Sequence, residues 1–181
     1  MKVLFVCTGN LCRSPMAEGL LRHELESRDC NNIEVASAGT WAADGEPATE
    51  EAIAVSQQSG IDISSHRSRL LDSKELGDTD VVIAMTNVHL QEIASVLPEA
   101  RGRTMLLKEL TGIDLPPALP GVTVEERVQT LLLGPRQKWR RKLDVADPIG
   151  RPMRFYERCF SELHGGVEVL ADLLCSEHSR P

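Results

Sequence analysis

Two hydrophobic rhythms alternate along this chain. Lys2–Cys7 (KVLFVC), Ile33–Ala38 (IEVASA), Asp80–Met85 (DVVIAM) and Arg103–Leu107 (RTMLL) are short apolar runs closed by Gly or turn residues. Such runs predict strands buried on both faces of a parallel sheet. Helical spacing separates them. Leu20, Leu21 and Leu25 give an apolar face to a helix that opens at Ser14-Pro15 and ends near Ser27. Ser14 is placed there as the cap, Pro15 as a first-turn residue and Glu18 as the capping partner. Further helices are predicted over Thr49–Gln58, stopped by Gly60, and over Thr86–Val96, stopped by Pro98, with a short turn at Ser73–Leu76. Ile61–Arg69 reads as loop. A last helix spans Pro152–Ser176, where the Gly165-Gly166 pair predicts a kink. Strand and helix in turn argue a parallel α/β sheet with right-handed crossovers.

Only residues 114–142 depart from this pattern, with a Pro-rich opening (LPPALPG), a helix predicted over Val124–Leu133 and a basic run (RQKWRRK) around Trp139. They read as a surface insertion on a single domain spanning residues 1–181, or alternatively as a docking arm over the active face. With 41% hydrophobic and 26% charged residues, the chain has the composition of a folded globular protein. Its formal net charge of -7 disfavours nucleic acid as a partner. No apolar run is long enough to span a bilayer, and Met1–Cys7 is too short for a signal peptide, so no membrane role is expected. Five cysteines, an odd number, fit a cytoplasmic chain that keeps its thiols reduced. Cys30, Cys159 and Cys175 are read as packing residues.

The first predicted strand runs into Cys7-Thr8-Gly9-Asn10-Leu11-Cys12-Arg13-Ser14, a C-x5-R-S loop that opens a helix. Ligands of parallel sheets bind beyond the carboxyl ends of strands, and a helix N-terminus favours anions there. Backbone N–H groups from Thr8 to Arg13 can converge on one tetrahedral anion, with Gly9 permitting the curve and Asn10 tolerating a left-handed conformation. Arg13 can close the ring with a two-pronged guanidinium. The same field favours the thiolate of Cys7, toward which Ser14 can donate. A thiolate beneath a bound phosphoryl group is a nucleophile aimed at phosphorus.

Cys7 to Gly19 (CTGNLCRSPMAEG) resembles the signature of low-molecular-weight protein-tyrosine phosphatases. The likeness continues through Ser37-Ala38-Gly39-Thr40, Gly60-Ile61-Asp62, Ser65-His66-Arg67, Asp80–Thr86, Leu107-Lys108-Glu109 and Asp147-Pro148-Ile149-Gly150. It implies a flavodoxin-like, three-layer fold with a four-stranded parallel sheet, and a phosphocysteine intermediate formed without metal or cofactor. On this resemblance Asp147 is the general acid and then base, with Asp144 as its competitor. Asn10, Ser14, Ser37 and His66 hold the loop in shape, and Cys12 can trap oxidised Cys7 as a disulfide. His89 and His164 read as ordinary helix residues.

Substrate cues are mixed. Leu11, Trp41 and Ile149 are the candidate pocket residues. Asp-Pro-Ile-Gly resembles the bacterial branch that includes protein-arginine phosphatases, whose members carry Thr where this chain has Leu11. An apolar Leu11 suits a phenyl ring better, so phosphotyrosine on proteins is expected first and phosphoarginine second. An arsenate reductase of the same fold lacks support, because no Cys lies between Cys30 and Cys159 to relay a disulfide. A non-catalytic phosphate-binding module would need neither Cys7 nor Asp147. A zinc site is not expected, since Cys7 and Cys12 have no matching second pair. The oligomeric state is left open.

Overall fold

The structure, a computed structural model, describes residues 1–112, 115, 119, 121–134 and 143–175. Four strands form one sheet: β1 (Lys2–Cys7), β2 (Glu34–Gly39), β3 (Val81–Ala84) and β4 (Thr104–Leu106). All pairs are parallel, and the order is β2-β1-β3-β4. β1 therefore lies inside the sheet, and Cys7 leaves it at the carboxyl edge, paired with Gly39 of β2.

Side chains alternate across the pleat, and this alternation divides the core in two. Val3, Phe5, Val81, Ile83 and Met105 face one hydrophobic cluster, while Leu4, Val6, Val82, Ala84 and Leu106 face the other. The first cluster is roofed by α1 (Arg13–Ser27), α2 (Glu50–Gln58), α5 (Leu107–Leu110), α6 (Val124–Leu133) and α7 (Met153–Leu174). The second is covered by α3 (Ser73–Gly77), α4 (Asn87–Val96) and the 3-10 turn Pro98–Arg103. Helices on both faces of a four-stranded parallel sheet make the three-layer, flavodoxin-like α/β fold that the family resemblance implied.

Four readings change. α1 begins at Arg13, with Cys12 at its N-cap and no side-chain cap. Ser14 does not cap it, because its hydroxyl contacts Cys7 and Asn10 instead. Glu18 is no capping partner either: it is buried, pairing with Arg22 and accepting from Ser37. α7 runs from Met153 to Leu174 as one helix through Gly165 and Gly166. Gly166 is there for close approach, since a Cβ on it would stand 2.7 Å from Leu107 Cγ.

Cys30 and Cys175 are not packing thiols. They form a disulfide between the residues that follow α1 and α7, their Cα atoms 5.9 Å apart. Finally, α6 has the predicted bounds, but it is no solvated appendage. Thr123 and Glu126 close a capping box at its start, and Val128, Leu131 and Leu132 join the larger core. The basic run Arg136–Lys142 lies outside the described residues.

Candidate active site

The loop from Thr8 to Cys12 is organised around Asn10, which is fully buried and sits at φ 55°. Every polar group of Asn10 is engaged. Its backbone N–H points at Cys7 Sγ at 3.3 Å, and its carbonyl accepts from His66 Nε2 at 2.8 Å. Its amide donates at 2.8 Å to both Ser14 Oγ and Ser37 Oγ, and its Oδ1 accepts the Arg69 N–H at 2.9 Å. Ser14 Oγ lies 3.0 Å from Cys7 Sγ. Because that oxygen already accepts from Asn10, its own proton is available to the sulfur. Ser37 in turn donates to Glu18. The chain Glu18–Ser37–Asn10–Ser14–Cys7 thus holds the sulfur from beneath with donors pointing toward it.

His66, expected to hold the loop in shape, donates from Nε2 to the Asn10 carbonyl. Burial pushes its imidazole below the ordinary value, against the pull of that carbonyl and of Glu18. Outer supports come from α2 and β2. The Thr49 N–H donates to the Leu11 carbonyl at 3.0 Å, and the N–H groups of Thr40 and Trp41 donate to the carbonyls of Cys7 and Thr8, each at 2.9 Å.

Gly39 permits that stitching. A Cβ there would lie 2.5 Å from Thr8 O and 2.9 Å from Asn10 N. Gly39→Ala should therefore cost about 1–3 kcal/mol of stability and at least about tenfold in turnover, because the loop itself must shift. Chemical denaturation and steady-state kinetics on one preparation measure both.

Arg13 joins the loop that follows Cys7 to the loop that carries Asp147. It is buried, and its guanidinium donates to the Val145 carbonyl at 3.3 Å, to Thr8 Oγ1 at 3.2 Å and to the Asp147 carboxylate. Asp147 is exposed and also accepts the Ile149 N–H. Asp144, its competitor in the sequence, is committed elsewhere: its Oδ1 accepts both the backbone and the amide N–H of Asn87 at 2.8 and 2.7 Å. Asp144 pins the Asp147 loop to the start of α4, and the Val145 N–H does the same on Met85 O at 2.8 Å.

Cys12 sits behind the loop against Thr49 Oγ1 and Tyr156 Oη, and burial raises its thiol pKa. Tyr156 is itself buried, which pushes its phenol up to about 12. Leu11 is partly buried against the core, while Trp41 and Ile149 are 76% and 51% exposed. The Trp41 indole donates to Glu92 at 2.9 Å. The three candidate pocket residues thus adjoin the loop or the acid, and two of them are turned to solvent.

One site residue escaped the sequence reading. His89 is not an ordinary helix residue: it is buried, with Nε2 2.9 Å from Thr8 Oγ1 and Nδ1 3.0 Å from Thr86 Oγ1. Only its position three residues after a potential Thr cap hinted at this. Burial first, and the Arg13 charge second, push its imidazole down to about 4. Unfolded, it titrates near 6.5. Between those two values the unfolded chain binds a proton that the folded one refuses, so stability is full above about pH 6.5 and is lost as pH falls toward 4. The shift corresponds to about 3 kcal/mol. Denaturant titrations at neutral and acid pH should show wild type losing that much more than His89→Gln.

Cys7 at the end of β1 receives the Asn10 N–H, and Arg13 links its loop to the Asp147 carboxylate, a donor set suited to a phosphoryl group. A model of low molecular weight phosphotyrosine protein phosphatases matches residues 2–115. A protein-arginine-phosphatase of Geobacillus stearothermophilus is 34% identical over 177 residues, 97% of each chain. The low molecular weight protein-tyrosine-phosphatase Etp of Escherichia coli K12 is 33% identical over 143 residues, 78% of this chain and 93% of its own. Among solved structures, YwlE arginine phosphatase, in a mutant whose active-site serine is phosphorylated, superposes with a TM-score of 0.76 at 32% identity, covering 98% of each chain. The chain belongs to the low molecular weight protein-tyrosine phosphatase family, and it is a phosphatase.

Proposed function

We propose that this phosphatase hydrolyses phosphotyrosine on proteins, with Cys7 as nucleophile, Arg13 and the loop amides of Thr8, Gly9, Asn10, Leu11 and Cys12 as the phosphoryl clamp, and Asp147 as acid and then base. The observation that carries this reading is the single hydrogen-bonded array linking Ser14 and Asn10 to Cys7 Sγ, with Arg13 holding Asp147 across the same loop.

In the first step the Cys7 thiolate forms an S–P bond as the P–O bond to tyrosine breaks. Asp147 gives its proton to the departing phenolate oxygen. In the second, Asp147 takes a proton from water, the water oxygen bonds to phosphorus, and the S–P bond breaks to return the Cys7 thiolate and inorganic phosphate. Arg13 and the loop N–H groups meet the charge on the three equatorial oxygens throughout.

Phosphoarginine is the second reading, favoured by the full-length match to a protein-arginine-phosphatase. Leu11 is the residue on which the two readings turn. Wild type is expected to prefer a phosphotyrosine peptide over phosphoarginine, and Leu11→Thr to shift the ratio at least about tenfold toward phosphoarginine. Side-by-side kcat/KM values for p-nitrophenyl phosphate, phosphotyrosine peptide and phosphoarginine decide this. A wild-type preference for phosphoarginine would overturn the first choice.

Two finer features belong to the same reading. Cys12, which shares the Cys7–Arg13 loop, is the partner for a protective disulfide if Cys7 is oxidised. A cytoplasmic location goes with the family reading and with the absence of a membrane-crossing helix among the described residues. The Cys30–Cys175 disulfide pulls against that location, and its state in protein taken from intact cells, with thiols blocked at lysis, decides: free thiols there would agree with it. A bridge persisting there would contradict it.

A further inference from the structure

The acid loop does not end at Asp147. Gly150, at φ 68°, turns the chain so that the Arg151 N–H donates to the Pro148 carbonyl at 2.9 Å. A turn closed by that bond keeps Arg151 within about 7 Å of Pro148 between Cα atoms. Arg151 therefore stands beside the acid. One helical turn on, Arg154 comes back to the same place. The guanidinium carbons of Arg151 and Arg154 lie 5.4 and 5.1 Å from the centre of the Phe155 ring. All three side chains reach solvent.

Their electrostatic position is unusual in this molecule. The formal net charge is -7, yet the described residues show no carboxylate within ion-pair distance of Arg151 or Arg154. Of the carboxylates near them in sequence, Asp144 is engaged by Asn87 and Asp147 by Arg13, and the described residues show no ion pair between Arg154 and Glu157, three positions on in the same helix. The chain as a whole carries an excess of acid, while this stretch presents two guanidinium groups against one aromatic ring. Stacking fixes an arginine's plane while leaving its N–H edge free to bind a carboxylate.

We propose that Arg151 and Arg154, braced on Phe155, form a subsite for acidic residues flanking the phosphorylated residue, so that the substrates are phosphoproteins carrying Asp or Glu next to the modified position. The spacing suits this. An extended peptide advances about 3.3 Å per residue, and Arg151 follows Asp147 by four residues, so an acid two or three positions from the phosphoresidue is the one to meet it. The subsite rests on the proposed phosphatase mechanism but selects among its substrates rather than taking part in it.

The test compares three phosphopeptides that differ only in whether Asp/Glu, Ala or Lys flanks the phosphoresidue, each read as kcat/KM within one enzyme. Wild type is expected to favour the acidic peptide over the Ala peptide about 5- to 20-fold, through KM, with the preference shrinking as salt rises. The double variant Arg151→Gln/Arg154→Gln should bring that ratio close to one, and Arg151→Glu/Arg154→Glu should turn it toward the Lys peptide. Both positions are exposed, where substitutions leave folding nearly unchanged. Equal wild-type rates on all three peptides would overturn the proposal, as would an acidic preference that survives in the Gln double variant. Failure of wild type to hydrolyse p-nitrophenyl phosphate at all would instead sink the mechanism on which the subsite rests.

Discussion

Cys7→Ser is expected to lower kcat by at least about 10⁴-fold on every phosphate ester, leaving phosphate binding and the fold largely in place. The substitution replaces a polarisable sulfur that receives the Asn10 N–H and stands 3.0 Å from Ser14 Oγ. A serine hydroxyl stays protonated in the same surroundings, because these donors stabilise a charge it does not carry. The loop should survive, since its shape depends on Asn10, Ser37, His66 and Arg69, none of which uses the sulfur as its sole partner. Stopped assays with phosphotyrosine peptide, paired with thermal unfolding, measure both halves. Residual turnover within about tenfold of wild type would remove Cys7 from the reaction.

Asp147→Asn should fall nearly as far on phosphotyrosine, by about 10²–10⁴ in kcat, and much less on an ester with a good leaving group. The difference follows from the proton it supplies. Expelling a tyrosine oxygen needs protonation, whereas p-nitrophenolate leaves as an anion. An asparagine also breaks the ion pair with Arg13, so part of the loss should be shared by both substrates. Comparing kcat for the two separates the contributions. Equal losses would mean that Asp147 only orients Arg13. The parallel change Asp144→Asn should behave differently, weakening the anchor to Asn87 and shifting stability before leaving-group dependence.

Much of the site was legible in the sequence because it is contiguous. Cys7 to Ser14 form one stretch in which each residue has a local reason to be present, from the strand that delivers the thiol to the helix that receives the arginine. The strands were legible for a similar reason, as β1 and β3 are buried along their length and their apolar runs are unbroken. Helix α6 could be placed because its periodicity begins and ends within ten residues.

What was misread depends on contacts distant in the chain. Ser14 and Glu18 have the spacing of a capping pair, and only the folded loop shows them facing inward, toward Cys7 and Ser37. His89 reaches Thr8 across 81 positions, so nothing in its own helix marks it as part of the site. Cys30 and Cys175 meet over a separation of 145 residues, a pairing that exists only once α1 and α7 lie side by side. Gly166 reads as a weak point in a helix until Leu107 is placed against it.

The most direct test of the account is to identify where the phosphoryl group is held during turnover. Asp147→Asn, slowed in the step that needs a base, should accumulate the intermediate when mixed with p-nitrophenyl phosphate and quenched in acid. Peptide mass mapping should then find one phosphoryl group on the peptide containing Cys7, joined to it through sulfur. Turnover with no covalent adduct, or with the phosphoryl group on any other residue, would contradict the mechanism.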